Sequence, residues 1–261
     1  MTTRRLFVDG QAWWAAPALP GQAEGRPAPT ALSANERRRA PASVLLALQL
    51  AQDAVGRSRH DAATLASVFS SAHGDLAVVD ALCATLAADP KLLSPTRFHH
   101  SVHNAASGYW AIASGSRAAS SAVAGYDRSF AAGLLEAATQ CAADGRPLLL
   151  VAGDGHAAGA LASVNRSRGQ LGVALVLSPR PGPRPAWALD WALHEGAVEP
   201  APLRTAAARA LAGNAMADAL PLVEALQAGA AASIALPLSA GLHLRLQLQP
   251  LPHGHGAPAR A

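Results

Sequence analysis

Two side chains near the middle of the chain stand where catalytic groups are often found. Asp127 and Ser129 lie in the stretch GYDRSFAAG, residues 125–133, at the entrance of an alanine-rich segment that is predicted to be a helix. The nucleophilic serine of a hydrolase elbow has a glycine two positions away on either side, whereas Ser129 has Asp127 and Ala131 there. The plainer interpretation of Ser129 is a helix-entry serine, and Asp127 remains a candidate catalytic group.

A second group of candidates is the histidine cluster His99, His100 and His103. His99 and His103 are four positions apart, a spacing that can place two metal ligands on one helix face. The cluster precedes the helix predicted from about Ala105 to Ser114, however, and no nearby carboxylate completes a ligand set. We therefore expect no metal site.

Gly153-Asp154-Gly155 follows an apolar strand and looks like part of a phosphate-binding loop. The GxxxxGK pattern is absent, and so is the lysine that would contact the phosphates. We interpret the stretch as a structural turn, and the sequence predicts no cofactor.

Short apolar runs that alternate with helical segments must position these residues. Ser33 followed by Glu36 predicts a capping box at a helix start. Strands are predicted at 65–70, 120–124, 148–152 and 172–177, and helices at 43–55, 75–87, 105–114 and 129–143. This alternation is typical of an α/β domain whose mixed sheet is covered by helices.

The two ends of the chain are less regular. Residues 1–32 hold a short apolar strand at 6–8 and a Pro/Gly-rich stretch, which we interpret as an extended leader laid over a domain at 33–180. A proline-rich connector at 178–185 leads into a reduced C-terminal extension, residues 181–250, and a disordered tail is predicted at 251–261. Within the extension, strands are predicted at 188–194, 233–236 and 242–248, and a helix at about 217–227.

Composition and charge exclude several function classes. The 261 residues are 51% hydrophobic and 15% charged, which describes a compact globular protein. The sequence pI of about 9.8 and the formal charge of +4 raise the question of nucleic acid. The arginines are scattered singly except for the pair at residues 4–5 and the run at residues 37–39, and Lys91 is the only lysine. Since a nucleic-acid surface needs a denser basic stripe, we expect no nucleic-acid partner.

The chain also lacks the marks of export or membrane insertion. No apolar run approaches the roughly 20 residues that a membrane span needs, and the basic N-terminus is interrupted at Asp9. We therefore expect a cytoplasmic protein with no membrane span. Cys83 and Cys141 lie in alanine-rich helical patterns, where we expect them to be small buried residues.

Three segments, in order, resemble the N-terminal half of β-ketoacyl synthases. They are Val68–Asp75, Ser94–Trp110 and the stretch 125–133. More closely, they resemble short chain-length factors of aryl polyene-type pathways, over about residues 33–180. The resemblance implies a thiolase-like layered fold, truncated here because only about 80 residues follow Leu177.

The resemblance also assigns a position to the catalytic nucleophile. In active synthases the run GLRGPS is followed, seven positions after its last residue, by the cysteine that receives the acyl chain. The matching run is GSRAAS, residues 115–120, and seven positions after Ser120 stands Asp127. A helix N-terminus lowers the pKa of a cysteine and makes it reactive, whereas an aspartate in that place is expected to act as a helix cap.

The two histidines that a synthase draws from its second half have no convincing counterparts either. The candidates that follow Leu177 are His194, His243, His253 and His255. None of them lies in a recognisable active-site motif, so the resemblance implies a non-catalytic member of the family.

Such a chain-length factor implies specific partners. It pairs with an active β-ketoacyl synthase as a heterodimer and meets acyl carrier protein through that complex. The strand at about 120–125 would meet its mate at the pseudo-twofold interface. The resemblance nominates for the interface or the end of the acyl channel Arg97, Phe98, Ser101, Asn104, Ala105, Gly108 and Tyr109, with Phe130 and Leu134 behind them.

Two other functions stay open at this point. One is a residual acyl-thioester enzyme, a decarboxylase or hydrolase, that uses Asp127, Ser129 or a histidine near Asn104. The other is a standalone acyl-binding protein that retains the fold.

Overall fold

A computed structural model describes residues 3–20, 22, 25–165, 167–182 and 186–251. Within these residues, eight strands form one sheet. The strands are β1 (Arg4–Ala16), β2 (Ala66–Ser70), β3 (Ser120–Val123), β4 (Leu148–Asp154), β5 (Gln170–Ser178), β6 (Trp187–Glu195), β7 (Ala232–Ser239) and β8 (Leu242–Pro250). Their order across the sheet is β3-β2-β4-β5-β1-β6-β8-β7.

Eight α-helices accompany this sheet within the same described residues. They are α1 (Ala34–Arg39), α2 (Ala42–Ser58), α3 (Leu76–Ala88), α4 (Pro95–Ser101), α5 (Ala105–Ser114), α6 (Ser129–Asp144), α7 (Ala206–Ala210) and α8 (Leu220–Ala228). Short 3-10 turns occupy Pro90–Leu92, Tyr126–Arg128, Gly159–Ser163 and Ala217–Ala219. The predicted capping box is confirmed, since the Ser33 side chain accepts from the Glu36 N–H and the Glu36 carboxylate accepts from the Ser33 N–H.

The sheet is mixed, as predicted. β2 is parallel to both β3 and β4, while β5, β1, β6, β8 and β7 continue the sheet by antiparallel pairing. Parallel neighbours need a crossover, and helices supply it. The α/β fold class with helix-covered sheet is confirmed.

Helices cover the two faces of the sheet and divide the core into two clusters. On one face, α6 and α8 pack over Val68 and the C-terminal strands, and on the other, α2 and α5 pack over Phe69. Val68 and Phe69 point to opposite faces because side chains alternate along a strand. Both helix layers thus bury apolar surface against the same sheet, the layered arrangement of a thiolase-like half.

The interpretation of residues 1–32 as a leader is wrong for their first half. The predicted short strand at 6–8 is the middle of the 13-residue strand β1. β1 lies inside the sheet, paired with β5 along one edge and with β6 along the other. The hydrogen bonds of both neighbours therefore depend on it.

The C-terminal strands continue the same sheet. β6 pairs with β1, β8 with β6, and β7 with β8. The predicted period-two pattern of 242–248 is confirmed over 244–248, where Leu244, Leu246 and Leu248 are buried and the residues between them are exposed, but His243 is buried as well. Residues 183–185 of the predicted connector and residues 252–261 of the predicted tail lie outside the described residues.

Three local expectations need correction. The segment 94–98 lies between the helices predicted at 75–87 and 105–114, but it begins the helix α4, whose N-cap is Ser94 with Pro95 in the first turn. The helix α7 was not predicted. Cys141 is buried as expected, but Cys83 is exposed.

Among the described residues, every helix is too short or too weakly apolar to cross a lipid bilayer.

Gly10 provides a test of the close packing between β1 and α2. An added Cβ would overlap the carbonyl oxygen of Ala54 and lie 2.8 Å from the Ser58 Cβ. We expect Gly10→Ala to lower the free energy of unfolding by about 3 kcal/mol, because backbone in a packed layer cannot yield without strain. Urea unfolding of the two proteins measures the difference.

The matched control is Gly56→Ala, on the helix α2 itself. A Cβ at Gly56 meets no atom within 4 Å, so this change should raise stability by about 0.5–1 kcal/mol through helix propensity. Equal stability of the two variants would contradict the packing assigned to β1.

Candidate functional site

The turn between β3 and α6 places Asp127 at the entrance of the helix. Tyr126 has a left-handed backbone with φ of 55°, and residues 126–128 form a 3-10 turn. The Ser129 hydroxyl accepts from the Gly125 N–H at 3.0 Å and donates to the Tyr126 carbonyl at 2.7 Å. Ser129 is fully buried, so its hydroxyl holds the turn and cannot reach a substrate.

Asp127 does not cap the helix α6, contrary to the expectation. The N-cap residue is Arg128, and it makes no side-chain capping bond. The Asp127 side chain is 73% exposed and lies 3.8 Å from the Arg128 Nε. Asp127 is therefore a solvated carboxylate beside a guanidinium.

The carboxylate at the N-terminal end of α6 belongs to Asp218 instead. Asp218 lies in the 3-10 turn before α8, and its Oδ2 accepts from the Ala131 N–H at 2.9 Å. Its Oδ1 is inaccessible to solvent and has no hydrogen-bond partner among the described residues. An oxygen brought from 87 positions further along the chain thus satisfies a free N–H group of the first helical turn.

The surroundings of Asp218 disfavour its charged form. The pKa of Asp218 is raised to about 7, mainly by burial and to a smaller extent by the like charge of Asp127, while the N–H groups of Ala131 and Phe130 act in the opposite direction. Sequence reasoning missed this residue, since a single aspartate at a helix start gives no sign of a partner so far away.

Two clefts open on either side of Asp127. The first, of about 630 Å³, lies between the turn and the C-terminal segments and is lined mainly by apolar side chains together with Asp127, Arg128 and Asp218. The second, of about 550 Å³, also contains Asp127 and is lined by His73, Tyr126 and Arg168 among others. The helix entrance is thus an open region rather than an enclosed pocket.

Asp154 shapes the loop on the far side of the second cleft. Its buried carboxylate accepts from the Ser71 hydroxyl at 2.8 Å, from the Ala72 N–H at 2.7 Å and from the His73 N–H at 3.3 Å. Burial raises the pKa of Asp154, and these hydrogen bonds oppose the shift. The interpretation of Gly153-Asp154-Gly155 as a structural turn agrees with these contacts.

The histidine cluster is engaged in structural hydrogen bonds. The His100 Nε2 lies 2.8 Å from the Tyr109 hydroxyl, and the His103 Nε2 lies 2.8 Å from the Ser71 carbonyl. Partial burial lowers the pKa of His100 and raises that of Tyr109. Among the described residues, no group of three or more histidine, cysteine or acidic side chains is placed to bind a metal ion.

An open surface flanks the strand β3, and we call it the edge surface: β3 together with the exposed side chains of α4 and α5. β3 is the last strand of the sheet and pairs only with β2 among the described residues. Phe98 on α4 is 62% exposed and Ile112 on α5 is 81% exposed. Asn104, Gly108 and Ile112 form one exposed stripe along α5, four residues apart.

The predicted interface residues divide between this surface and the core. Arg97, Phe98, Asn104 and Gly108 are exposed, Ser101 and Tyr109 are half-buried, and Ala105 is buried. Phe130 and Leu134 are fully buried on α6, on the sheet face opposite to α5. The structure therefore does not bring them together with the other seven residues.

Comparison with protein families matches residues 11–239 to the N-terminal domain of β-ketoacyl synthases. No curated protein matches the sequence.

Several solved structures are similar to this one. A chain in the complex of the ketosynthase ApeO with its chain length factor ApeC from Xenorhabdus doucetiae has a TM-score of 0.64 and 22% identity, over 92% of this chain and 99% of that chain. A chain in the complex of a type II polyketide synthase acyl-carrier protein with its ketosynthase bound to the hexaketide has a TM-score of 0.68 and 11% identity, over 96% and 100%. A β-ketoacyl synthase from Burkholderia phymatum STM815 has a TM-score of 0.56 and 11% identity, over 85% and 71%. At these identities the likeness shows a shared fold.

The raised pKa of Asp218 predicts a specific pH dependence of stability. Between about pH 4 and pH 7 the folded protein keeps a proton on Asp218 that the unfolded chain releases, so stability falls as the pH rises through this window. Asp218→Asn removes the ionisation while its amide oxygen can still accept from the Ala131 N–H. We expect the parent to lose roughly 3 kcal/mol more than this variant between pH 4 and pH 8.

Urea unfolding at a series of pH values measures this difference. Asp144→Asn, at the exposed C-terminal end of the same helix, serves as control and should leave the pH profile of the parent unchanged. If the free energies of unfolding of Asp218→Asn and the parent change equally with pH, the Asp218 carboxyl ionises like that of an unperturbed aspartate, which would contradict the prediction.

Proposed function

Because the chain belongs to the family of β-ketoacyl synthase N-terminal domains, we propose that it is the non-catalytic partner of an active β-ketoacyl synthase. In this proposal it acts as a chain length factor within a heterodimer. The synthase subunit carries the growing acyl or polyene chain on its cysteine, and acyl carrier protein supplies the extension units to the complex. The product belongs to aryl polyene or related fatty acid and polyketide biosynthesis.

The observation that carries the proposal is the carboxylate at position 127. A synthase stores the growing chain as a thioester, and an aspartate in the same place would have to store it as an anhydride, which is a poor reversible carrier. The Asp127 side chain is exposed beside Arg128, and a solvated carboxylate in this setting is a weak nucleophile. The neighbouring Ser129 is buried and bonded to the turn.

The edge surface supports a partner at β3. An unpaired strand edge exposes backbone N–H and C=O groups that another strand can pair with. Ile112 adds a large exposed apolar side chain on α5, the helix that contacts β3, and Phe98 adds another on α4, which packs against α5. A second subunit that adds its strand to β3 would satisfy the backbone groups and cover the apolar side chains.

The proposed mechanism of length control is steric. The acyl chain extends from the partner's cysteine towards the interface, and side chains of the edge surface set where it must stop. Arg97, Phe98, Ser101, Asn104, Gly108 and Tyr109 are the residues proposed for this role. Ala105 would support the surface from the core beneath α5, whereas Phe130 and Leu134 would act only through β3, since they lie on α6 on the opposite face of the sheet.

The first test of the proposal is co-purification with a β-ketoacyl synthase encoded alongside this chain. We expect a stable heterodimer, and Ile112→Glu should weaken it at least about tenfold because a charge would be buried in the contact. The dissociation constant, measured by titration calorimetry, gives the effect.

Leu86→Glu is the matched control for this measurement. Leu86 is also a large exposed hydrophobic residue, 47% exposed, but it lies on α3, outside the edge surface. A well-behaved monomer that binds no synthase would favour the standalone acyl-binding protein. Turnover of acyl carrier protein thioesters by the purified chain would favour the residual enzyme.

Enlarging a small residue of the edge surface tests length control directly. A Cβ at Gly108 meets no atom within 4 Å, so Gly108→Leu should fold normally and project into the proposed contact. We expect the reconstituted pair to release shorter products, as measured by mass spectrometry of the released acyl chains.

Gly56→Leu supplies the control for this experiment, because Gly56 is another exposed helical glycine with open space around it. It should leave the product length unchanged. Unaltered chain lengths for Gly108→Leu in an intact complex would refute the steric mechanism at this position.

A further inference from the structure

The N-terminal end of a helix can make a neighbouring nucleophile reactive, and the N-terminal end of α6 lies beside position 127. The first N–H groups of a helix have no partner within the helix, and they give this end a partial positive charge. That charge stabilises a thiolate and lowers its pKa. A reactive cysteine at the helix entrance therefore depends on N–H groups that remain available to it.

In this chain those N–H groups face a carboxylate of the chain itself. The Oδ2 of Asp218 accepts from the Ala131 N–H at 2.9 Å, and the neighbouring Phe130 N–H also favours the charged form of Asp218 and lowers its pKa. The contact is buried, and the second oxygen of Asp218 is shielded from solvent. The helix end is thus filled from within the protein, by a residue next to α8.

We propose that Asp218 neutralises the N-terminal end of α6, so that position 127 stands at a helix entrance that cannot activate a nucleophile. The inference rests on the proposed function, which assigns position 127 to the nucleophile. It adds a second element to the loss of catalysis: the reactive side chain is replaced, and the charge that would activate it is already compensated.

The sign of the electrostatic effect follows from the charges around the helix entrance. Above about pH 7, where Asp218 is ionised, a thiolate at position 127 would meet it as a like charge, which raises the pKa of the thiol. The other charged groups that line the same cleft are Arg128 and Glu199, and Arg168 and Arg209 line the second cleft. Arg128 favours a thiolate, while Glu199 is exposed, and solvent screens its charge.

The proposal is tested by placing a thiol at position 127 of the full-length chain and measuring its pKa. Asp127→Cys is made in a Cys83→Ser background, because the exposed Cys83 would otherwise react. Cys141 needs no change, since burial raises its pKa to about 12. The rate of alkylation by iodoacetamide as a function of pH gives the pKa of the new thiol.

We expect the thiol in Asp127→Cys to have a pKa of about 8.5 or higher, the value of an unactivated cysteine. In Asp127→Cys/Asp218→Asn the pKa should fall by about one unit, with about a tenfold higher alkylation rate near pH 7. The matched control is Asp127→Cys/Glu199→Gln, which removes a carboxylate from the same cleft without touching α6. Its pKa should stay within a few tenths of the value for Asp127→Cys.

Two outcomes would overturn the proposal. One is an equal thiol pKa with and without Asp218 in variants whose circular dichroism and thermal unfolding match the parent. The other is a thiol pKa below about 7 in Asp127→Cys alone, which would show that the helix end activates the thiol even when Asp218 is present. The assay requires no partner. Failure to bind a synthase would therefore count against the proposed function, whereas this inference is decided by the measured pKa of the thiol alone.

Discussion

The strand β1 is the constraint on which the rest of the sheet depends. It pairs with β5 along residues 7–16 and with β6 along residues 4–8, and so it joins the parallel part of the sheet to the C-terminal strands. Where the pairing shifts, at the bulge between Val8 and Gly10, the Asp9 carboxylate is buried. It accepts from the His60 Nε2 at 2.7 Å, from the Gly182 N–H at 3.1 Å and from the Ser178 hydroxyl. A buried carboxylate with several donors fixes the segments that supply them, which are here the ends of α2 and β5.

The helix α6 is held against this sheet by an equally local requirement. Gly133 approaches β2 so closely that a Cβ there would lie 2.6 Å from the Ser70 Cβ. The Ser70 hydroxyl donates to the Ser129 carbonyl at 2.6 Å. Because Asp218 accepts from the Ala131 N–H in the first turn of α6, the start of this helix is fixed by β2 on one side and by the segment before α8 on the other. The exposed position of Asp127 follows from this placement of the helix.

Local patterns predicted most helices and strands, and non-local contacts account for what was missed. The capping box of α1 needs only residues 33 and 36, and its signal is complete in the sequence. β1 was underestimated because Asp9, Gly10 and Gln11 interrupt its apolar pattern, and Asp9 is acceptable there only with partners from residues 60, 178 and 182. α4 had a signal that was not used, since Ser94 followed by Pro95 is a common helix start. Asp127 lies at the helix entrance, as predicted, but the capping role expected of it belongs to Asp218, which no local pattern connects to α6.

The physical demands at position 127 and at β3 are different, although one short turn connects them. Asp127 is exposed and contributes no capping bond, so the fold tolerates many side chains there and needs no nucleophile for its stability. Among the described residues, β3 is bonded to β2 along one edge and has no strand on its other edge, and Ile112 is exposed on α5, which contacts β3. An open edge and an exposed apolar residue are features that folded proteins tend to cover. If the proposed complex forms, the loss of a nucleophile at position 127 would therefore cost the chain no stability, whereas the open edge of β3 would still need a cover.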